Sequence, residues 1–379
     1  MKVVIAIDSF KGSITSIQAG NCAAEGVKRV YPNAETIVLP IADGGEGTVE
    51  ALVNGLGGRI EKVKVKNPLG EEIVAEYGVA NGTAIIEMAQ SSGITLIKKE
   101  ELNPLKTTTY GVGEMINDAI NKGFRNFIIG IGGSATNDGG VGMLQALGFE
   151  FKDKFNNEIG FGAEGLKDLE KIIIDNANPL LKECSFNVAC DVKNPLCGEN
   201  GCSYIFSPQK GAKKEDIPLM DKWLKNYADK TSKIRGEDYS LEKGAGAAGG
   251  LGFAFMSYLN ANLKPGINLV LNEINLEKEV INADLVITGE GKMDSQTLMG
   301  KAPIGVSNIA KKYDVPVFAF CGCKEDSANI LNEHGIDGIF SIQQGAISID
   351  KAMDITIAKN NLTNTVEQVL RVYQKAKNN

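Results

Sequence analysis

The chain has 379 residues with 40 basic and 47 acidic side chains, a formal charge of −7, and this mild acidity argues against nucleic acid as the main partner, because phosphate-backbone binding needs a basic field. Hydrophobic residues at 43% and charged residues at 23% describe a folded chain with enough sequence for about two domains. No run approaches the roughly 18 apolar residues of a membrane helix, Asp8 interrupts the first apolar run before a signal-peptide core could form, and seven cysteines without zinc spacing point to a reducing cytoplasm.

The first apolar run predicts a strand over 2–7, then a helix over about 15–30, a strand over 36–41 and a helix over about 45–56. The texture changes to hairpin-like segments at 59–66, 72–79 and 83–88, and a second α/β stretch follows, with a helix over 110–122 and a strand over 126–130. The last third returns to the opening grammar. It reads as a strand at Leu285–Ile287, a helix after Pro303, a strand at Val317–Phe320, a helix near 326–333, a strand at Gly338–Ser341 and a long terminal helix. The outer stretches together supply five strands with interleaved helices, about the complement of a flavodoxin-like parallel sheet. The expected organisation is a discontinuous flavodoxin-like α/β domain, residues 1–60 and 281–379, interrupted by an inserted α/β domain, 61–280. Asn-Pro-Leu recurs at Asn67, Asn103, Asn178 and Asn194 without a common period, so it marks turns and not a solenoid.

Glycine accounts for 44 residues, above the ordinary usage of about 7%, and it clusters beside acidic and hydroxyl residues. Asp8-Ser9-Phe10-Lys11-Gly12-Ser13 follows the first strand, where open α/β sheets place ligands. Ala42-Asp43-Gly44-Gly45-Glu46-Gly47-Thr48 follows the second strand and opens a helix, so its N–H groups could surround an anion. The run Gly130–Gly140 contains a G-x-G-x-x-A match with Gly132, Gly133, Ser134, Thr136, Asn137 and Asp138, and Gly244–Gly249 matches G-x-G-x-x-G. A dinucleotide site is therefore weighed, against the lack of a convincing strand before the second match. Thr288 through Thr297, with Gly300 and Lys301, brings two carboxylates and two lysines among glycines. Cys190-Asp191-Val192 with Asn194-Pro195-Leu196 sets an Asp after a short apolar segment, where Cys190 reads as a small buried residue.

The sequence has one histidine, His334, placed like a helix end capped by Gly335. Two-histidine metal centres are excluded, and no G-x-S-x-G elbow accompanies it. General acid–base work falls to carboxylates or lysines. Phosphoryl transfer needs just this inventory: N–H donors and lysine on phosphates, a carboxylate-held Mg²⁺, and one carboxylate to accept a hydroxyl proton. No G-x-x-x-x-G-K-[ST] motif and no protein-kinase signature is present.

Five of these motifs, in chain order Asp8–Ser13, Ala42–Thr48, Gly132–Gly140, Cys190–Leu196 and Thr288–Lys301, resemble those of the bacterial type 1 glycerate kinases from the first strand to the last third of the chain. Ile14 and Val141 depart from the residues expected there, without touching a polar role. The resemblance implies an ATP-dependent kinase of D-glycerate giving 2-phosphoglycerate, with Mg²⁺ as cofactor and the active site in an interdomain cleft. The alternatives are phosphorylation of the 3-hydroxyl, an NAD-dependent hydroxy-acid oxidoreductase and a non-enzymatic nucleotide sensor; a monomer or homodimer is expected. By residue type, Lys11 with nearby hydroxyls is expected to hold glycerate, Asp191 or Asp294 to act as base, and Asp43 or Glu290 to hold Mg²⁺. Asp8, Ser9, Gly44, Gly45, Gly47, Thr48, Gly132, Gly133, Ser134, Thr136, Asn137, Asp138, Gly289, Gly291, Gln296 and Lys301 complete the expected substrate and phosphate contacts.

Overall fold

The computed structural model describes residues 1–377. Its strands in chain order are β1 (Lys2–Ile7), β2 (Glu35–Val38), β3 (Arg59–Lys66), β4 (Glu72–Ala80), β5 (Thr83–Glu87), β6 (Asn126–Gly130), β7 (Glu150–Lys152), β8 (Lys171–Ile173), β9 (Ser185–Ala189), β10 (Asn262–Lys264), β11 (Leu285–Met293), β12 (Val317–Lys324) and β13 (Gly338–Ser341). The chain folds as two units. The first comprises Met1–Asp43, Glu50–Gly57 and the chain from Ile267 onward; the second comprises Gly44–Val49 and Gly58–Gly266. The helices Gly266–Glu273 and Leu276–Val280, Gly266 itself excepted, belong to the first unit, upstream of the expected 281 boundary.

In the first unit the sheet order is β2-β1-β11-β12-β13, with every neighbouring pair parallel. This is the flavodoxin-like order, and it reverses between β1 and β11, the switch point outside whose carboxyl ends ligands bind. Val3, Val4, Ile5 and Ala6 are all fully buried, as expected for a strand covered on both faces. One face carries Val3, Ile5 and Ile7 with Leu285 and Ile287. It meets Ala19, Ala23 and Val27 of the helix Ser16–Val30, together with Leu362, Val366 and Leu370 of the helix Ile355–Lys377. Truncating Ile5 to Ala in such a core costs about 2–5 kcal/mol. Thr15 and Gln18 form a reciprocal capping box that fixes where the first helix starts. The two helices approach closely because residue 26 is glycine: a Cβ there would sit 2.6 Å from the Thr363 carbonyl oxygen.

β11 is longer than its apolar segment predicts. Gly289, Glu290 and Gly291 are strand residues rather than loop, and Glu290 pairs with Cys321 and Lys292 with Cys323. β2 is shorter than expected, and the following helix begins only at Thr48.

The second unit has a mixed sheet in the order β3-β4-β5-β6-β9-β10, antiparallel at β3–β4 and β4–β5 and parallel from β5 to β10. β7 and β8 form a separate antiparallel pair. Alternation places Lys62–Glu76 and Lys64–Glu72 ion pairs on the solvent side of the β3–β4 hairpin, while Val65 is buried. Phe127 and Phe186 stack at 4.8 Å on neighbouring strands at the centre of the core. Among the described residues no helix is long and apolar enough to cross a membrane.

Candidate active site

The candidate residues divide between the two units. The first holds Asp8, Ser9, Lys11, Asp43, Gly289, Glu290, Gly291, Asp294, Gln296 and Lys301; the second holds Gly44, Gly45, Gly47, Thr48, Gly132, Gly133, Ser134, Thr136, Asn137, Asp138 and Asp191.

In the first unit, Asp8 directly follows β1 and donates its backbone N–H to Gly289 O at 2.9 Å, so the ends of β1 and β11 are locked in register. The buried Ser16 hydroxyl donates to Ile7 O at 2.6 Å and accepts the Ile41 N–H at 2.9 Å, tying the loop after β2 to the same place. A tight turn then returns the chain, with Phe10 N–H donating to Ile14 O and Gly12 in the left-handed region at φ 77°. The result is a cavity of about 460 Å³ at the switch point, lined by Asp8, Ser9, Lys11, Asp43, Glu290 and Lys301, with Phe10, Ile342 and Met353 as an apolar wall.

Its electrostatics follow from crowding carboxylates out of water. Burial, with the neighbouring Asp43 charge second, pushes Asp8 up to about 7, against the opposing pull of the Ser9 N–H and Lys11. Glu290 is also raised, by burial first; it accepts the Thr297 hydroxyl at 2.6 Å and pairs with Lys301 at 3.2 Å. Asp294, expected as a base, instead caps the 3-10 turn Ser295–Met299, accepting the Gln296 N–H at 2.9 Å, and it pairs with Lys292 at 3.4 Å. Burial raises its pKa, but the Gln296 N–H and the two lysines outweigh this and hold it below the ordinary value. A carboxylate so stabilised is a weak base. Gln296 supplies that backbone N–H, and Gly289 serves strand pairing.

In the second unit, the expected N–H cradle over Gly44–Thr48 already has an internal anion. Glu87, buried at the end of β5, accepts the Val49 N–H at 2.8 Å with the Thr48 and Gly47 amides alongside, and burial raises its pKa. The Thr48 hydroxyl donates to Gly45 O at 2.8 Å. Gly44 serves close approach, since a Cβ there would meet Gly266 Cα at 2.5 Å. Glu87 thus already occupies the Gly47, Thr48 and Val49 amides, which leaves those of Gly44 and Gly45 as the part of the expected cradle not engaged by it.

The glycine turn after β6 is divided. Gly132 and Gly133 are exposed, and Ser134 is 9% exposed. Thr136, Asn137 and Asp138 are interior. Asp138 accepts the Thr109 N–H and hydroxyl, the Gly140 N–H and the Gly142 N–H, so it braces the turn and does not face a ligand. Asn137 donates to the Ser203 hydroxyl at 2.9 Å. The helix after the turn starts only at Val141, and no strand directly precedes Gly244, so neither glycine match has the strand–turn–helix setting of a dinucleotide fingerprint. Asp191 is exposed and accepts the Gly266 N–H at 3.1 Å.

Two residues at these sites are invisible to motif reading. Glu87 looks like an ordinary strand end. Lys210, in Ser-Pro-Gln-Lys-Gly, looks like a surface turn, yet it is 2% exposed and its Nζ donates to Ser134 Oγ and to Thr136 O, both at 2.7 Å. Pro208 and the left-handed Gly211 at φ 91° signal the turn but not its burial.

A sequence model of the Glycerate kinase family matches residues 3–374. The chain is 47% identical over 354 residues to the glycerate 2-kinase of Escherichia coli K12, covering 93% of each. It is 46% identical over 356 residues to the glycerate kinase of Bacillus subtilis 168, again covering 93% of each. Its fold superposes with a TM-score of 0.92 and 42% identity, over all of both chains, on the crystal structure of a Salmonella typhimurium LT2 protein provisionally named glycerate kinase 2.

Proposed function

The chain belongs to the glycerate kinase family, and from that premise we propose that it transfers the terminal phosphoryl group of ATP to the 2-hydroxyl of D-glycerate, with the first unit's switch-point cavity supplying the acid–base chemistry. The observation that carries this reading is Asp8: a buried carboxyl pushed up to about 7 in a cavity that also holds Lys11 and Lys301. A base near neutral pH is half ionised where it must accept a proton and still basic enough to take one. Asp8 therefore replaces Asp294 as the proposed acceptor of the attacking hydroxyl's proton. Asp191 keeps at most a supporting role.

Lys11, with the hydroxyls of Ser9 and Ser13 on the same cavity, is proposed to hold the acid; the Ser13 hydroxyl is buried without a protein partner. Lys301 is proposed to offset phosphate charge while paired to Glu290. The cavity is several times the size of a three-carbon acid, leaving room for the transferring end of ATP beside the apolar wall. Mg²⁺ fits the donor chemistry: it is commonly held by one or two carboxylates plus substrate phosphates, and Asp43 lies close enough to Asp8 to raise it. Among the described residues no group of three acidic, histidine or cysteine side chains forms a metal cage; Asp43, with Glu290 on the same cavity, is the proposed holder. When bound, Mg²⁺ supplies positive charge to the phosphate oxygens. The free thiols at all seven cysteines accord with a proposed cytoplasmic location.

The test is a coupled ADP-release assay over a panel of hydroxy acids, with and without Mg²⁺, followed by phosphorus NMR of the product. D-Glycerate should be the preferred acceptor and 2-phosphoglycerate the product. ATP binding without ADP release for any acid on the panel would defeat the proposal.

A further inference from the structure

Lysine is among the residues least often buried without a charged partner. Lys210 is 2% exposed, and among the described residues no carboxylate oxygen lies within ion-pair distance of it. Burial pushes it down to about 8, and the charged or titratable groups that act on it, the Cys202 thiol and Asp138, both favour its proton. Asp138 spends its oxygens on Thr109, Gly140 and Gly142, and Cys202, pushed up to about 12 by burial, stays a neutral thiol. A buried ammonium held by one hydroxyl and one carbonyl costs more than those two bonds return, and a methionine of similar length would fill the same space.

Lysine has only donors to offer, so the Ser134 oxygen must act as acceptor in the 2.7 Å contact. That leaves the Ser134 proton for a third group. The Thr136 carbonyl is fixed by the same Nζ. In the same turn Thr136 Oγ1 and Asn137 Oδ1 are buried without protein partners, while Gly132 and Gly133 stay exposed. The turn thus has a fixed hydroxyl donor, open backbone and a positive charge directly beneath.

Building on the phosphotransferase reading above, we propose that Lys210 is a positioning residue: its buried ammonium orients the Ser134 hydroxyl and charges the glycine turn, so that the turn receives an anionic oxygen group of a substrate. That group is either a phosphate of the nucleotide or the carboxylate of the acid.

The test compares wild type with Lys210→Met, Ser134→Ala and the double variant. Calorimetry measures the Kd for ADP and, separately, for D-glycerate between pH 6.5 and 9.5; ADP release gives kcat and KM, and thermal melts report the fold. Lys210→Met should melt at or above the wild-type temperature, because the buried charge is gone. It should weaken binding of one of the two anions by roughly 10–100-fold and lose the decline in affinity that wild type shows as pH rises through about 8. The double variant should be no worse than the weaker single, since both act through one hydroxyl. The anion whose Kd moves identifies the occupant. A folded Lys210→Met with both Kd values within twofold of wild type and an unchanged pH profile overturns the proposal. Should Lys210→Met fail to fold, Ser134→Ala decides: a tenfold weaker Kd supports the proposal and an unchanged one overturns it. Wild type that binds both ligands yet releases no ADP would sink the kinase reading and leave this assignment standing on its Kd values.

Discussion

Replacing Asp8 with Asn should make the protein more stable and almost inactive, and the stability gain should depend on pH in a calculable way. In the folded chain the Asp8 carboxyl keeps its proton up to about pH 7, against an ordinary value of 3.8. Between those values the folded state binds more protons than the unfolded state, so this group's contribution to stability falls as pH rises. The difference corresponds to about 4 kcal/mol once both pKa values are passed, at 1.36 kcal/mol per pH unit, an order-of-magnitude figure. Asn carries no such charge. The stability gap between Asp8→Asn and wild type should therefore be smallest near pH 4 and widen to about 4 kcal/mol near pH 8. Urea unfolding followed by circular dichroism, without Mg²⁺ so that no cation offsets the carboxylates, measures the gap at each pH. Assayed with Mg²⁺ and ATP, ADP release by Asp8→Asn should fall by roughly 10²–10⁴, and wild-type turnover should lose activity towards acid pH as Asp8 takes up its proton. A gap that stays constant with pH would refute the burial argument. Turnover near wild type in Asp8→Asn would refute the base assignment even if the stability argument survived.

Asp138→Ala should cost about 1–3 kcal/mol or more, because it leaves the amides of Thr109, Gly140 and Gly142 without their buried acceptor; a melting temperature within a degree or two of wild type would contradict the bracing role. Lys301→Met leaves Glu290 with only the Thr297 hydroxyl. It should lower kcat/KM by roughly 10–100-fold and raise the pH below which activity fails, both read from pH–rate profiles. Chelation with EDTA should abolish ADP release, and excess Mg²⁺ should restore it. Chelation should lower the melting temperature only slightly, because a cation on Asp43 binds the folded chain alone while the hydrogen bonds that shape both units are made within the chain.

The first unit's architecture is readable in the sequence because parallel strands covered on both faces are written as apolar runs, as in Val3–Ile7 and Leu285–Ile287. The alternation in Arg59–Lys66 similarly gives the hairpin with Glu72–Ala80. What misleads is glycine. Gly289 and Gly291 read as loop, yet Gly289 is a strand residue because β12 runs so near: a Cβ there would lie 2.1 Å from Phe320 O. The cavity carboxylates Asp8, Asp43 and Glu290 stand next to recognisable motifs and were legible for that reason. Their division of labour was not, because a base differs from a helix cap through its surroundings. Asp294 and Asp8 are the same residue type, and only burial and partners separate them. Glu87 and Lys210 were illegible for a related reason, since each is defined by partners 38 and 76 residues away in sequence.

In a kinase whose single histidine ends a surface 3-10 helix, the proposed base is a carboxylate. Imidazole titrates near neutral pH without burial, whereas the Asp8 carboxyl is raised first by burial and second by the nearby Asp43 charge, and the burial remains when a cation offsets Asp43. On the proposed base assignment the cost is electrostatic as well as thermodynamic, since ionised Asp8 would repel a phosphate bound beside it. Lys11 and Lys301 line the same cavity and would oppose that repulsion. They do so unequally, because Lys301 is already committed to Glu290 while Lys11 is exposed and reaches Asp8 only through its field. Lys11 is thus the cation proposed to meet the entering substrate, and the turn that carries it is held by Gly12, whose left-handed backbone at φ 77° favours glycine, while the Met353 methyl, 2.6 Å from a Cβ position, would have to move aside for another side chain.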